Sequence, residues 1–345
     1  MVTARQDFAE FAALAAERAR IADDLVRHLR ETLGGAPSSL AQAGEYVLSV
    51  TGKLLRPMLM LEACRAAGGD PELVLPAALG TEYGHVASLV HDDIIDGDAE
   101  RRGQATLHVK YNVGAAILTG DLLIFNTFLN FAECEDRGAS AERVLAAIRT
   151  LSATCIEMCR GQALEAEITG DLNTTEETYL EMIHLKTASF CRAAARIGAS
   201  LGGADDAAVE ALASYGEHLG TTFQIIDDIL PYVSDTRALG KPRHSDIVNR
   251  RVTLPIIYAI QDGGDGVRTQ LETLFAAQAG ADGGAEALAH RRVRRLLIST
   301  RALHRARALA YRYTEGAKQA LDHLPASPSR ERLRGLADAC LARDR

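Results

Sequence analysis

Two acidic runs within apolar segments are the residues of this chain best suited to chemistry. The first is HDDIID at 91–96 and the second is QIIDDIL at 224–230. On a helix, Asp92 and Asp96 share a face, and Asp93 is turned aside by about 100°. A buried carboxylate needs a compensating charge, and carboxylate oxygens are the ligands that Mg²⁺ prefers. We therefore expect two acidic clusters that face each other across a cavity and bind a polyanion through bridging metal ions.

The first run also has a simpler interpretation, which is an acidic helix end with solvated charges. Asp227 and Asp228 argue against it, because two adjacent acids inside an apolar helix are costly unless they meet a cation. Arg101 and Arg102 follow the first run after a short loop. Guanidinium groups supply bidentate contacts to phosphate oxygens. The acids and the arginines together favour a site for a phosphate-bearing ligand.

Apolar residues with helical spacing run through almost the whole chain, and no convincing run has the period of a strand. Breaks that contain glycine or proline separate the segments. The sequence therefore predicts an all-α fold, a single large bundle of roughly 10–14 helices around a central cavity. The predicted helices are 5–33, 38–51, 55–67, 72–95, 114–135, 140–168, 175–202, one from the break at 202–205 to 230, 253–261, 267–279, 284–299, 300–322 and 328–342.

Length and charge limit the class of protein. The chain has 345 residues and no Pro/Ser-rich linker, so we expect one domain over 1–345. Its formal net charge of −8 gives no sign of a nucleic-acid partner. One basic cluster is interpreted as a solvated helix face: His290, Arg291, Arg292, Arg294 and Arg295.

Targeting and redox features favour the cytoplasm. The N-terminal segment carries acids and lacks a long apolar stretch, so it is interpreted as an amphipathic helix and not as a signal peptide. No run approaches the roughly 18 apolar residues of a membrane span, so no transmembrane segment is expected. None of the six cysteines forms a CxxC pair or has the partners of a zinc site. We expect free thiols in a reducing compartment.

Seven short motifs occur in the order in which one known family has them. GKLLRP at 52–57 corresponds to GKxxRP, and HVASLVHDD at 85–93 corresponds to the helix with the first aspartate motif. The others are GQ at 161–162, KT at 186–187, FQ at 223–224, GKP at 240–242 and TLP at 253–255. The chain thus resembles the trans-type polyprenyl diphosphate synthases, which join isopentenyl diphosphate to an allylic diphosphate. The best-matched core is 45–260.

The resemblance implies an isoprenoid synthase fold, a homodimer and two or three Mg²⁺ ions. It also implies that Asp92, Asp96 and Asp227 hold the metal ions that bind the allylic diphosphate. Asp93 and Asp228 then support the metal shells, directly or through water. The allylic substrate is expected to be dimethylallyl, geranyl or farnesyl diphosphate.

The same resemblance gives roles to basic and polar residues. Thr187 and Gln224 match positions near the allylic cation, where a hydroxyl or amide dipole stabilises charge. Four cations match positions around the allylic diphosphate: Arg101, Lys186, Lys241 and Arg251. A second diphosphate pocket, without metal, takes isopentenyl diphosphate and matches Lys53, Arg56, His85 and Arg102.

Two positions depart from the family pattern. The fifth position of the second motif is usually Asp in the family but is Pro231 here. The family's Lys two residues before TLP is replaced by Arg251. Proline removes a backbone donor and crowds the carbonyl of Asp227, so the helix is expected to kink or end there and metal binding to be weaker. Asp235, a further turn on, is a candidate for partial substitution. Arginine keeps the charge of lysine but changes the geometry.

Two other classes remain open beside the transferase. A class I terpene cyclase has the same helical scaffold and needs metal clusters but no second diphosphate pocket. The four cations assigned to that pocket therefore favour the transferase. A non-catalytic partner subunit is suggested by Pro231 and Arg251, although such subunits usually lose the first aspartate motif, which is whole here.

Product length is expected to depend on the helix face that precedes Asp92. Small residues line that face: Ser88, Ala87, Gly84, and Gly80 or Thr81. The wall is therefore predicted to be open past the fifteen-carbon stage, with Phe125 and Phe128 of the next long helix as candidates for a floor. We expect an all-trans product of twenty carbons or more, with geranylgeranyl diphosphate as the first candidate.

Overall fold

The computed structural model describes residues 2–34, 38–49, 52–233, 245–277 and 283–343. These residues form fifteen α-helices, all but two of which have eight residues or more, and the prediction of an all-α bundle is confirmed. The helices are α1 (Val2–Thr32), α2 (Ser39–Ser49), α3 (Leu55–Ala66), α4 (Pro71–Asp96), α5 (Leu107–Lys110), α6 (Val113–Ala132), α7 (Ala141–Ile168), α8 (Glu176–Ile183), α9 (Ser189–Leu201), α10 (Asp206–Val233), α11 (Ser245–Val248), α12 (Leu254–Ala276), α13 (Gly283–Ser299), α14 (Ala302–Ala320) and α15 (Pro328–Leu341).

Side-chain caps fix where the helices that carry the acidic and basic residues begin. The Asp70 side chain accepts a hydrogen bond from the backbone N–H of Glu72 at the start of α4. Asn112 caps α6 and Ser140 caps α7, each by accepting from a backbone N–H three residues further on. These side chains satisfy N–H groups that a first helical turn leaves without an intrahelical acceptor.

The acidic end of α4 is formed by a glycine stop and a short hairpin. Gly97 has a φ of 66°, a left-handed conformation that glycine adopts without strain, and it ends α4 directly after Asp96. Two antiparallel strands follow, β1 (Glu100–Arg101) and β2 (Gln104–Ala105). The hairpin reverses the chain direction, so that Arg101 contacts Asp93 near the end of α4.

α4 packs along α6 at very short range. A Cβ atom at Gly80 would lie 2.9 Å from the carbonyl oxygen of Thr127, so the two backbones can approach this closely only because residue 80 is glycine. The buried residues of α6 recur every three or four positions, as expected for a helix with one face against a core. They are Ala116, Thr119, Gly120, Leu123, Asn126, Thr127, Asn130 and Phe131.

α10 takes part in two hydrophobic clusters. Its first half contributes Leu212, Tyr215 and Leu219 to a cluster built largely from α1–α7 and α9. Its second half, including Ile229 and Tyr232, packs with α8, α12, α13 and α14. Because one continuous helix belongs to both clusters, the packing favours a single domain, which remains a proposal.

Three local details differ from the sequence predictions. The segment predicted as one helix over 175–202 contains a π-helical turn, His184–Ala188, between α8 and α9. The segments 253–261 and 267–279 form one helix, α12, with a kink at Gly264, whose φ is 64°. α10 does not end at Pro231 but continues to Val233.

The expectation that no segment has the length and composition of a membrane span is wrong for α6. Val113–Ala132 has 20 residues and a mean hydropathy of 1.4 over its most apolar stretch, of which 44% is buried in the fold. Isolated polar residues such as Asp121 and Asn126 interrupt its apolar sequence, so that no unbroken apolar run of this length is visible in the sequence. A single helix of this kind is weak support for a span, because core helices pass the same test.

Candidate active site

Asp92 is a half-buried carboxyl near the end of α4. Burial raises the pKa of this carboxyl, Lys186 opposes the shift, and the carboxylates of Asp96 and Glu165 reinforce it. No hydrogen bond or ion pair reaches Asp92 from the part of the chain that the structure describes. A buried acid beside other acids is suited to a divalent cation, which would reverse the unfavourable charge balance.

Asp93 is held by a contact of its own. It is 5% exposed, and Arg101 donates to its Oδ1 from both Nε and Nη2 at 2.6 Å. Arg101 also lies 3.8 Å from Asp98. The structure therefore pairs two of the predicted site residues with each other. The charge of Arg101 also acts on Asp92, where it opposes the rise of the pKa.

Asp96 belongs to a network that the sequence analysis only partly anticipated. Arg251 Nη2 donates to Asp96 Oδ2 at 2.6 Å, and Arg251 Nε lies 3.9 Å from Glu165 Oε1. Lys186 Nζ donates to the other oxygen of Glu165 at 2.5 Å. Glu165 of α7 was not predicted, although its position three residues after Gln162 places it on the same helix face as that motif residue.

The π-helical turn His184–Ala188 presents Lys186 and Thr187. Such turns are rare and frequently occur at functional sites. A Cβ atom at Gly161 of α7 would lie 2.5 Å from the backbone nitrogen of Lys186, so α7 can support the turn only with glycine at this position. This close contact gives a physical reason for the glycine of the GQ motif.

Thr187 connects the π-helical turn to the second acidic run. Its hydroxyl donates to Gln224 Oε1 at 2.9 Å, and Gln224 Nε2 donates to Asp228 Oδ1 at 2.9 Å. Asp228 is 8% exposed and also accepts a hydrogen bond from Tyr179 at 2.6 Å. The two acidic runs are thus joined through adjacent residues of one turn. Tyr179, which was not predicted, is one of the donors to Asp228.

Asp227 lies in different surroundings from its neighbour. Arg343 Nη2 lies 2.8 Å from Asp227 Oδ1, and the Arg343 guanidinium lies 4.6 Å from the centre of the Phe223 ring. Lys53 Nζ lies 5.9 Å from the centre of the same ring. Burial lowers the pKa of Lys53, and Arg343 acts in the same direction, whereas Asp227 opposes it. Arg343 carries no motif and was not predicted.

The predicted second diphosphate pocket places basic residues, some of them exposed, around one buried acid. Burial lowers the pKa of His85 well below its usual range, and Arg56 and Arg102 add to that shift. Glu82, one turn before His85 on α4, is 2% exposed, and its Oε2 has no hydrogen-bond partner among the described residues. Burial raises the pKa of Glu82, while the two arginines oppose that shift. Glu82 was not predicted.

Asp235 and the GKP motif at 240–242, which contains Lys241, lie outside the described residues. Within the described residues, no group of three or more His, Cys, Asp or Glu side chains is close enough together to hold a metal ion by itself. Any ion bound here would therefore share its ligands between one or two protein carboxylates and another molecule.

The proposed product channel along α4 is narrower than the sequence suggests. A Cβ atom at Gly84 would lie 3.4 Å from Thr127 Oγ1 and 3.7 Å from the Phe190 ring. Further along, α6 lies directly against Gly80. Phe125, one of the two candidates for a floor, is 71% exposed on the outer side of α6, so it does not close a channel inside the chain.

Comparisons with known proteins agree with this arrangement. A sequence profile of the polyprenyl synthetase family matches residues 37–290. A geranylgeranyl diphosphate synthase of Methanosarcina mazei is 37% identical over 314 residues, which cover 89% of this chain and 91% of that protein. A geranylfarnesyl diphosphate synthase of Natronomonas pharaonis is 36% identical over 323 residues, which cover 89% of this chain and 91% of that protein.

A solved structure gives the same result for the fold. A polyprenyl synthase of Caulobacter crescentus, in complex with calcium and isoprenyl diphosphate, superposes with a TM-score of 0.81 and is 32% identical in sequence. The superposition covers 94% of this chain and 98% of that chain. The helical bundle and its acidic and basic clusters define an isoprenoid synthase. The chain belongs to the polyprenyl synthetase family and is a prenyltransferase.

Proposed function

We propose that this prenyltransferase condenses isopentenyl diphosphate with an allylic diphosphate to give an all-trans polyprenyl diphosphate. The observation that carries the proposal is the presence of two clusters of opposite charge. Asp92, Asp96 and Asp227 suit a diphosphate that arrives with divalent cations. Arg56 and Arg102 suit a second diphosphate that needs no metal. A reaction between two diphosphate substrates requires both kinds of site.

Mg²⁺ fits the acidic cluster by the chemistry of its donors. Asp92 is half buried beside Asp96 and Glu165, and burial together with these carboxylates raises its pKa, so a bound cation would favour its charged form. Asp92, Asp96 and Asp227 would hold two or three ions together with substrate oxygens. When bound, such ions neutralise the charge that develops on the leaving diphosphate. The calcium in the Caulobacter crescentus structure supports a divalent cation in this family.

The chain's own residues favour departure of the allylic diphosphate in two ways. Lys186 and Arg251 both contact Glu165, and an arriving diphosphate would give these cations a second anion to bind. The hydrogen of the Thr187 hydroxyl is directed to Gln224, so lone pairs of that oxygen remain available to the allylic cation. The allylic C–O bond breaks, and its electron pair stays with the diphosphate.

The new bond then forms from the isopentenyl double bond. Its electron pair attacks the allylic carbon, and the resulting cation loses a proton to give the new double bond. We assign the proton to the departing diphosphate, in line with the family resemblance, and no separate base is required. Lys53, Arg56, His85 and Arg102 are proposed to hold isopentenyl diphosphate in place during both steps.

The product is proposed to be geranylgeranyl diphosphate. From Asp92 to the close contact at Gly80, α4 rises about 18 Å, and each helical turn is close to the length of one extended isoprene unit. The small side chain of Ser88 is half buried at the first turn, whereas α6 at Gly80 ends the space. The resulting length supports a twenty-carbon product more than a much longer one.

One assay tests the proposal. Purified protein is incubated with Mg²⁺, isopentenyl diphosphate and each allylic primer in turn, and the products are sized by mass spectrometry. Elongated diphosphates are expected. Release of diphosphate from the allylic substrate alone would indicate a cyclase, and absence of product with all three primers would indicate a partner subunit.

We also propose a homodimer that forms through the outer face of α6. That face exposes apolar side chains in a stripe along the helix: Val113, Ile117, Leu118, Ile124, Phe125 and Leu129. A second copy of the same stripe is a self-complementary partner in a two-fold interface. Light scattering should give twice the chain mass, and Phe125→Asp should give a monomer.

The cytoplasm is the compartment that we propose. All six cysteines are free thiols, and Cys155 and Cys159 are exposed. Exposed thiols one helical turn apart persist most readily where glutathione and thioredoxin keep them reduced. Fractionation of cells that produce the protein, with a blot of the soluble and membrane fractions, tests this placement.

A further inference from the structure

The end of α10, directly after the second acidic run, is held by side chains of α13. His290 Nε2 lies 2.9 Å from the carbonyl oxygen of Pro231, and Arg294 Nε donates to the carbonyl oxygen of Tyr232 at 2.6 Å. The His290 ring also stacks on the Tyr232 ring, with centres 5.4 Å apart and 3° between the planes. Two successive carbonyls of α10 therefore have donors from another helix.

The basic residues on α13 are not a uniform solvated face. His290 is 4% exposed, whereas Arg291, Arg292, Arg294 and Arg295 are exposed as predicted. His290 and Arg294 are one helical turn apart and therefore point the same way. The prediction of a solvated face is thus wrong for His290, because α13 buries Ala289, Val293 and Leu297 in the same cluster as Tyr232.

Pro231 makes these contacts more important than ordinary helix capping. The last carbonyls of any helix lack intrahelical donors. Proline has no N–H, so the carbonyl of Asp227 loses its donor as well. Basic side chains at a helix C-terminus satisfy such carbonyls and interact favourably with the helix dipole. The turn that carries the acidic pair thus lacks one internal hydrogen bond, and the carbonyls that follow it, those of Pro231 and Tyr232, have external donors.

We propose that His290 and Arg294 are positioning residues for the second acidic run. They hold the last turn of α10 in place of the regular hydrogen bonding that Pro231 prevents, and they thereby keep Asp227 directed to the metal side and Asp228 within reach of Gln224. The proposal rests on the proposed function only for the role of Asp227. The contacts of His290 and Arg294 with the last turn of α10 are called the clamp below. They involve this chain alone and can be measured without substrate.

Hydrogen exchange with mass spectrometry tests the clamp directly. In His290→Ala the backbone amides of residues 229, 230, 232 and 233 should exchange about five to ten times faster, the scale of losing one buried hydrogen bond. Arg294→Ala should have the same direction of effect and disturbs the core less. The amides of α4 should not change in either variant. His290→Gln, whose amide can donate to the same carbonyl, should restore much of the protection, and Arg291→Ala is the matched control on the same helix.

A double-mutant comparison ties the clamp to Pro231. Pro231→Ala restores the missing N–H, so His290→Ala should have less than about half its effect on exchange in that background. In the natural sequence, His290→Ala should also raise the Mg²⁺ concentration for half-maximal rate by about tenfold, as expected for a residue that orients a metal ligand. The proposal would be overturned if His290→Ala changed exchange equally in the natural sequence and in the Pro231→Ala background. It would also be overturned if His290→Ala did not change exchange near the end of α10. If the natural protein had no prenyltransferase activity, the proposed function would be wrong, but the exchange experiment would still test the clamp.

Discussion

Arg343 neutralises Asp227 in the structure, with Arg343 Nη2 2.8 Å from Asp227 Oδ1. The arginine follows α15, whereas the acid lies near the end of α10, so the contact joins distant parts of the chain. Arg343 Nε and Nη1 are buried without a hydrogen-bond partner in the described part of the chain. A metal ion that uses Asp227 must therefore compete with an arginine whose other donors are not satisfied.

This competition gives the first prediction. Arg343→Ala should lower the Mg²⁺ concentration at which the protein is half-maximally stabilised against heat by about twofold to fivefold, the range for a partly exposed ion pair. Thermal shift in a Mg²⁺ titration measures the effect without turnover. Arg343→Lys keeps the charge and should shift the midpoint less. An unchanged midpoint in both variants would show that the ion pair does not compete with metal.

Loss of the half-buried acid on α4 gives the second prediction. Asp92→Ala should reduce turnover at least about a hundredfold, because it removes a group that helps to stabilise developing charge. Asp121, on α6, is 50% exposed and serves as a control, since Asp121→Ala should change turnover little. Turnover is measured with saturating substrates and Mg²⁺. Full activity of the natural enzyme in excess EDTA would remove the metal from the mechanism.

The two cation groups give the third prediction. Arg56→Ala should raise the KM for isopentenyl diphosphate about tenfold or more and leave the KM for the allylic substrate nearly unchanged, because it removes a charge-assisted contact to one diphosphate only. Arg251→Ala should do the reverse. Steady-state kinetics with one substrate varied at a time separates the two effects. Equal weakening of the same substrate by both variants would contradict the division of the site.

Helix positions followed closely from the sequence because apolar periodicity and its breaks report burial directly. The helix predicted over 72–95 is α4 (Pro71–Asp96), and that predicted over 140–168 is α7 (Ala141–Ile168). The site motifs could be found for a similar reason, since paired acids in apolar helices stand out. The π-helical turn His184–Ala188 could not be found in this way, because nothing in its composition distinguishes it from the helix around it.

Partners of buried charges were not predictable from sequence. Arg343 lies near Asp227 only because distant helices pack together. Glu82 and Glu165 each lie one helical turn from a motif residue, but that spacing alone does not show which charges they meet across the bundle. The orientation of Phe125 was missed for a different reason. The buried side of α6 carries polar residues such as Thr127 and Asn130, whereas the outer side is apolar, so hydrophobic periodicity does not show which side meets α4.

Glu82 gives the fourth prediction, which concerns stability. An acid whose pKa is raised by folding disfavours the folded state when ionised, so the folded protein gains stability as the pH falls through the raised pKa towards the ordinary value of about 4.3. Glu82→Gln should therefore raise the melting temperature at pH 8 and have little effect near pH 4.

Calorimetry across that pH range checks the fourth prediction. Glu62→Gln is the matched control, because Glu62 is equally buried, at 5% exposure, but pairs with Arg65 at 2.6 Å and Arg332 at 3.0 Å. That change should lower the melting temperature at pH 8, since it weakens paired charges. If Glu82→Gln instead lowered the melting temperature at pH 8, Arg56 and Arg102 would stabilise the ionised carboxylate of Glu82 by more than burial disfavours it.

The fifth prediction concerns product length. Ser88 lies one helical turn before Asp92 on the same face of α4, is half buried, and donates its hydroxyl to the carbonyl oxygen of His85 at 2.8 Å. A phenylalanine at this position would fill the first turn of the proposed channel, so Ser88→Phe should shorten the main product from twenty carbons to fifteen. Phe125→Ala should leave product length unchanged within one chain, since that ring is on the outer side of α6. Mass spectrometry of products from each allylic primer measures both effects. If the natural enzyme stops at farnesyl diphosphate with every primer, the channel must already be closed between Asp92 and Gly84. The side chain that closes it must then be one other than Ala87 or Ser88.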